Sequence, residues 1–500
     1  MNHWIVAPII LPLLLGAILA WQSDQQTGLQ RWLSLTGSLG LLLVSLQLIQ
    51  TAGQGQVQIY SLGNWQAPFG IVLVLDRLSA LMVFTTAALA LLVNLYACSG
   101  DDSRGRYFHA LFQFQVAGIC GAFLTGDLFN LFVFFEILLI ASYALLLHGG
   151  GTQRLRSAVH YVVLNLIGST LFLLGAGLVY GISGTLNMAD IARFVQQTEG
   201  DSLHLMHAAG WVLVLVFGLK AAILPLHFWL PRAYASASAP VAALFAIMTK
   251  VGLYAILRLV TLIYGPESGV GSAFDLGLLF GIAMLTMLLG ALGAFAADTL
   301  HSMLAWLVLV SVGTLLAGIS LANEQSITAS LYYLLHSTWG IAGMFLLADL
   351  IARQRGKMDA RLRTGPALGT PARLGGLFFI GAIATAGLPP FSGFIGKLTL
   401  LQSAAGQQAA WLWSALLFAS FVVIVALSRA GSQLFWQQGA TSAEPPPPLQ
   451  VLPYATAAVL TGSAVVLLLT AAPVLDYCLA AAQQLMQPEL YLKQLEGGRT

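Results

Sequence analysis

Apolar residues fall along this chain in blocks of helix length, separated by short polar or glycine- and proline-containing breaks. A helix that crosses a bilayer needs about 20 mostly apolar residues, and because lipid offers the backbone no hydrogen-bond partners, only helices and closed barrels can span it. The blocks predict spans near 4–21, 32–52, 70–97, 107–124, 128–147, 157–180, 208–229, 240–262, 275–296, 301–320, 327–352, 373–402, 410–435 and 451–474. Counted in order, these make fourteen. The first has the length of a signal peptide, but nothing basic precedes Ile5 and thirteen more blocks follow, so it reads as a retained span. The expected fold class is therefore an all-α polytopic membrane protein forming one integral membrane domain over 1–500. Its longest connections are 181–207, 353–372 and 436–450, the last holding Glu444 and the run Pro445 to Pro448, which reads as a stiff polyproline spacer.

Composition agrees. The 500 residues are 58% hydrophobic and only 8% charged, against about 25% charged in an ordinary soluble protein. Net charge is +2, and no run of Lys and Arg is interleaved with aromatics, so nucleic acid is set aside as a partner. Cys98, Cys120 and Cys478 lie far apart without metal-ligand spacing, so no disulfide framework, zinc site or iron–sulfur site is readable, and no cofactor is expected. Any redox cofactor would have to sit on another protein.

Sidedness follows from Lys and Arg, which are enriched in short cytoplasmic loops. With fourteen spans both termini share a side, and the loops on the opposite side hold 13 of the 21 basic residues, Arg31 through Arg429, whereas the termini side holds Arg193, Lys493 and Arg499. Both termini are expected to face away from the cytoplasm. The five remaining basic residues, Arg77, Lys220, Lys250, Arg258 and Lys397, fall within spans. A charge at mid-membrane costs about 2.5–3.5 kcal/mol even on the mildest scales, so such residues default to a functional hypothesis. Three of the chain's five lysines are among them, but only two of its sixteen arginines. Arg does not release its proton in proteins, whereas Lys can, so a proton carrier must be Lys. The plain alternative is lysines that snorkel to an interface or sit in static ion pairs.

Two of these lysines lie beside predicted helix breaks. Pro225 removes the hydrogen bond that the carbonyl of Ala221, next to Lys220, would accept, and Pro389 and Pro390 free the carbonyls of Thr385 and Ala386 ahead of Lys397. Interrupted helices in corresponding positions of two halves mark ion paths in transporters built from inverted repeats. Here they fall in spans seven and twelve, five apart, and a repeat unit of five spans inverts between copies. Carboxylates are scarcer inside: Asp76, Glu136 and Asp349, with Asp127 at a mouth. Asp349 precedes Arg353 by four residues and suits an interfacial ion pair, while Asp76 can pair with Arg77 or with a base on a neighbouring span. Glu136, flanked by Phe134, Phe135, Ile137 and Leu138, needs a cation from another helix or a proton. His336, near Tyr333, Ser337 and Thr338, is either a hydrogen-bonded structural residue or a relay that titrates near neutral pH.

The stretches Thr125 to Leu147, Leu219 to Pro231 and Gly387 to Lys397 together resemble the antiporter-like membrane subunits. That family unites Mrp-type multisubunit cation/proton antiporters with the proton-pumping subunits of respiratory complex I and membrane-bound hydrogenases. The resemblance runs over nearly the whole chain and is stronger to the Mrp branch. Only 26 residues follow the last span, which disfavours family members with a long C-terminal lateral helix.

The family implies two inverted five-helix repeats, spans four to eight (107–262) and nine to thirteen (275–435). They would follow an N-terminal three-helix segment (1–97) and precede a C-terminal loop, span and tail (436–500). By motif match it further implies a proton-transfer axis: Glu136 and Lys220 as a charge-switching pair, Lys250 and His336 in the middle, and Lys397 as the terminal exchange site. Span ten has no interior acid, so the two half-channels would differ chemically. The implied function is proton translocation in a bacterial plasma membrane, within a complex of other antiporter subunits that exchanges Na+ or K+ for H+. The alternative is a pump subunit of a complex I-like dehydrogenase or membrane-bound hydrogenase. The chain itself would be no enzyme. A hard cation wants several oxygen ligands and the interior offers few, so no metal site is expected and the alkali ion would cross through partner subunits.

Overall fold

A computed structural model describes residues 3–22, 26–265, 275–437, 439 and 446–497. Glu444 and Pro445 of the proline-rich spacer lie outside them. The apolar blocks form helices: α1 (Ala7–Trp21), α2 (Thr27–Gly53), α3 (Arg77–Ala97), α4 (Phe108–Leu124), α5 (Leu128–Leu147), α6 (Thr152–Ser183), the short α7 (Met188–Gln197) and α8 (Asp201–Ala221). There follow α9 (Trp229–Ser236), α10 (Ala239–Phe245), α11 (Met248–Arg258), α12 (Leu276–Ala296), α13 (Leu300–Leu321) and α14 (Glu324–Arg355). The chain closes with α15 (Pro371–Ala386), α16 (Ser392–Gln402), α17 (Gly406–Gly431), α18 (Val451–Leu469), α19 (Ala471–Leu485) and α20 (Pro488–Gly497). Among the described residues, eleven helical segments are long and apolar enough to cross a membrane, and α1, α4 and α15 are shorter apolar helices. Among the described residues the protein is an all-helical membrane protein but for one hairpin.

That hairpin is a departure from the expected span at 70–97. Residues 72–75 form β2 (Val72–Leu75), antiparallel to β1 (Gln58–Ser61) with Gln58 opposite Leu75. The physical reason is local. Val72 and Val74 are β-branched and favour a strand, while the Asp76 carboxylate accepts the Ser79 amide at 2.8 Å and the Ser79 hydroxyl accepts the Asp76 amide at 2.9 Å, a capping box that starts α3 only at Arg77. Arg77 thus sits at a helix mouth, its guanidinium donating to the carbonyls of Gly53 and Ala480.

The long α14, buried along most of its length, is the central post. It packs against α13, α15, α16, α18 and α19 and touches α3 and α10. On the arginine-rich side a network pins the α3–α4 loop. Asp102 takes Arg31 at 2.6 and 2.9 Å and His109 at 3.1 Å. Burial raises its carboxyl's proton affinity, but the hydrogen bonds from His109 and Arg31 win and hold it at about 2. Arg353 joins Asp349 and Asp101, each at 2.6 Å, so the i,i+4 pair expected of Asp349 is present and extends to a second carboxylate.

Candidate functional site

Of the charges in the spans, Asp76 and Arg258 pair with each other. Their closest contact is 2.6 Å, with a second at 2.8 Å, and Arg258 also donates to the Tyr254 hydroxyl at 3.0 Å. Asp76 therefore pairs across helices and not with Arg77. The three lysines behave differently. Among the described residues none of them has a carboxylate within 4.0 Å.

Lys220 is the penultimate residue of α8. The helix stops there because Ala222 takes a left-handed φ of 60° and Pro225 cannot supply an amide. The freed backbone is met from outside: Trp229 Nε1 donates to the Leu219 carbonyl at 3.0 Å, and the Leu224 amide donates to Thr286 Oγ1 at 3.0 Å. The Lys220 ammonium donates to the backbone carbonyl of Asn165 at 3.3 Å, to Asn165 Oδ1 at 3.4 Å and to Ser169 Oγ at 3.4 Å. It also lies 5.9 Å over the Phe135 ring. Ser169 Oγ in turn bonds Glu136 Oε1. The structure thus brings Glu136 and Lys220 together through one hydroxyl, and Glu136 is half-buried rather than enclosed by apolar groups.

Lys250, fully buried on α11, donates to Ser311 Oγ on α13 at 3.1 Å and to Thr249 Oγ1 at 3.4 Å. Its helix lies against α8 at Gly252, where a Cβ would stand 2.6 Å from the Ala221 amide nitrogen and 2.7 Å from the Phe217 carbonyl oxygen. Only a residue without Cβ allows this approach, so Lys220 and Lys250 sit on touching helices. His336 Nδ1 bonds Ser392 Oγ at 2.8 Å, and its ring lies 5.8 Å from that of Tyr333. A small cavity beside them, reached also by Ser337 and Thr385, has room for about one water.

Lys397 on α16 donates to the Ala386 carbonyl at 2.8 Å and to Ser420 Oγ at 3.0 Å. That carbonyl is the one Pro390 leaves without its helical donor. Gly387, at φ 82°, ends α15 where a Cβ would stand 2.6 Å from Lys397 Cδ. The five candidate residues therefore fall in three groups, Glu136 with Lys220, Lys250 with Ser311, and His336 with Lys397, which share α16: His336 bonds its first residue, Ser392, and Lys397 lies five residues further on. Lys220 precedes its break and Lys397 follows its own, so the two half-sites are not copies.

Sequence reading missed the hydroxyls: Ser169, Ser311, Ser392 and Ser420. Serine in a membrane helix usually bonds its own preceding turn, as Ser169 and Ser311 also do, so no signal in the chain marks them. It also missed the buried His227, which with Trp306 is among the residues lining a cleft of about 1710 Å³. The cleft opens among Arg104, Arg156, Arg232 and Arg361, on the arginine-rich side. Elsewhere Cys98, Asp102 and His109 bring possible ligand atoms within 4.8 Å of one another. Both Asp102 oxygens are already held by Arg31, whose charge repels a metal ion, and burial pushes the Cys98 thiol up to about 12.

Over residues 125–423 the chain matches the model of a family described as NADH:quinone oxidoreductase/Mrp antiporter, TM. It is 40% identical to a protein of Rhizobium meliloti named as a probable K(+)/H(+) antiporter subunit of the D type, over 98% of this chain and 96% of that one. With the D-type Na(+)/H(+) antiporter subunit of Bacillus subtilis it shares 36% identity over 89% of each. Its fold superposes with a TM-score of 0.89 on a chain of the Mrp complex from a Dietzia species, at 26% identity, covering 99% of this chain and 100% of that one.

Proposed function

Because the chain belongs to the NADH:quinone oxidoreductase/Mrp antiporter transmembrane family, we propose that it is the proton-translocating subunit of a multisubunit Na+(K+)/H+ antiporter. It is the counterpart of the D-type antiporter subunits among its relatives. The observation that carries the relay is a contrast within one interior. Arg258, a cation that cannot release its proton, is neutralised by Asp76 at 2.6 Å, whereas Lys220, Lys250 and Lys397 rest on hydroxyls, amide oxygens and freed carbonyls. A static buried cation needs a carboxylate partner. A group that alternates between ammonium and amine is better served by neutral oxygens, which tolerate both states.

In this reading a proton reaches Lys220 from the arginine-side cleft past His227. It passes by way of Lys250, His336 and intervening water, and leaves through Lys397. Glu136 opens and closes against Lys220 through Ser169, as a charge latch. The architecture is fourteen spans, the eleven long segments plus α1, α4 and α15. Inverted repeats of five cover 107–262 and 275–435, supported by a break of the same kind, a left-handed residue followed by proline, in the fourth span of each. The N-terminal three helices and the 436–500 tail flank them.

The chain sits in the bacterial plasma membrane with its arginine-rich loops in the cytoplasm and both termini outside. It is a transporter component that works with other subunits of the antiporter and makes no bond itself, and the alkali cation crosses on those partners. Two measurements test this. Affinity purification of the chain from its native membrane should bring down other antiporter subunits and not flavin- or iron–sulfur-bearing ones. The reconstituted complex should exchange Na+ or K+ for H+ and lose that exchange in Lys220→Ala.

A further inference from the structure

The arginine-lined cleft is larger than proton access requires. Single pockets for small ligands occupy about 300–1,000 Å³, and this one is about 1710 Å³. Five arginines line it against three aspartates, Asp298, Asp349 and Asp359, and Asp349 is already bound by Arg353 and Tyr96. Arg104 and Arg154 are likewise occupied, by Asp101 at 3.2 Å and by the carbonyls of His148 and Ser236. Arg156, Arg232 and Arg361 are exposed, and among the described residues no carboxylate lies within 4.0 Å of them.

The walls are amphipathic. Arg156 and His160 stand one turn apart on α6, and the next row of the same helix, Leu155, Val159, Val163 and Ile167, is exposed and wholly apolar, as lipid-facing surface must be. Phe228, 62% exposed, also lines the cleft, four residues before Arg232. Arg156, with no carboxylate in reach among the described residues, thus borders an outward apolar track on its own helix.

We propose that this cleft holds the headgroup of an anionic phospholipid, its phosphate on Arg156, Arg232 and Arg361 and its acyl chains along the α6 row. Guanidinium forks match phosphate oxygens in pairs, and basic pockets between membrane helices on the cytoplasmic side take such headgroups. The inference needs the cleft to face a lipid surface, and it stands whether or not the lysine relay is correct.

The test uses the assembled complex in phosphatidylcholine nanodiscs doped with cardiolipin, with lipid retained after detergent extraction counted by native mass spectrometry. Each guanidinium near an anionic surface contributes about fivefold, so R156Q/R232Q/R361Q should lower the retained cardiolipin about a hundredfold. The matching triple lysine variant should hold it within about tenfold of wild type. If the triple glutamine variant does not assemble, Arg232→Gln alone should give a fivefold loss. Cardiolipin retained undiminished by the glutamine variants overturns the proposal. So does full displacement of cardiolipin by millimolar inorganic phosphate, which would make the cleft a site for free anions. Failure of phosphate to compete supports the lipid.

Discussion

Replacing Lys220 or Lys397 by arginine separates a titrating relay from a pair of fixed cations, because both residues carry the same charge at neutral pH. An ordinary lysine loses its proton near 10.4 and arginine at about 12.5–13.8, a gap of roughly 2–3 units, or about 3–5 kcal/mol at about 1.4 kcal/mol per unit. A step in which the cation must hand on its proton then slows by about 100- to 1,000-fold. Geometry adds to this. The Lys220 ammonium has three donors and meets three acceptors, at 3.3, 3.4 and 3.4 Å, whereas a guanidinium brings five donors and leaves two unmet in a buried site. Lys397 meets two acceptors, so the mismatch there is greater. The assay is the purified complex in vesicles that enclose a pH dye, with exchange started by adding Na+ or K+. The matching alanine variants define zero, and complex yield controls for insertion. Exchange within about twofold of wild type in both arginine variants would show that these lysines act as static charges and would end the relay argument.

Four further outcomes are expected. Ser169→Ala removes the hydroxyl between Glu136 and Lys220, worth about 1.5 kcal/mol for a bond to a charged group. Exchange in the same vesicles should fall about tenfold, and an unchanged rate would mean the pair does not communicate through Ser169. Asp76→Asn strands Arg258, which costs about 3–5 kcal/mol when one member of a buried pair is lost; the yield of complex on size-exclusion chromatography should collapse and recover when Arg258→Met is added, and no recovery would place the importance of Asp76 in its helix cap. Gly252→Ala sets a Cβ 2.6 Å from the Ala221 nitrogen and should destabilise by about 1–3 kcal/mol through overpacking, seen as a lower thermal midpoint; an unshifted midpoint would show that α8 and α11 can separate freely. A reporter fused after Thr500 should be active only outside the cytoplasm, and cytoplasmic activity would invert the topology.

Helix positions were legible because the signal for them is local. Lipid demands about 20 apolar residues in a row, and α5, α12 and α17 fall on their expected blocks within a few residues. The failures mark where another local rule competes. At 70–76 a β-branched run and the Asp76 capping box outweigh the apolar count. Past Leu469 the chain forms α19, which docks on α14 and α3, where the sequence offered only a tail. The breaks after Lys220 and before Lys397 were legible because proline's missing amide is a property of the residue alone. Partners were not: Asp76 meets Arg258 from 182 positions away, and Lys250 meets Ser311 across 61.

The scarcity of carboxylates, visible in the sequence, gains its meaning only from those partners. With one interior acid committed to Arg258 and another to Arg353, Glu136 is the acid left to change partners, and it is the one that lies half-open beside a lysine. A charged group that must gain and lose a proton cannot be held by a full opposite charge, because the fixed partner would favour one protonation state by several kcal/mol. In the proposed relay, three lysines resting on neutral oxygens and one carboxylate reached through a hydroxyl keep each state within reach of the other. The same scarcity of carboxylates leaves the interior little negative charge with which to hold Na+ or K+ in the proposed reading. Coupling the two ions requires both to bias one shared equilibrium, so in the proposed reading the cation's site adjoins this chain on a neighbouring subunit, where it acts on the protonation of the relay.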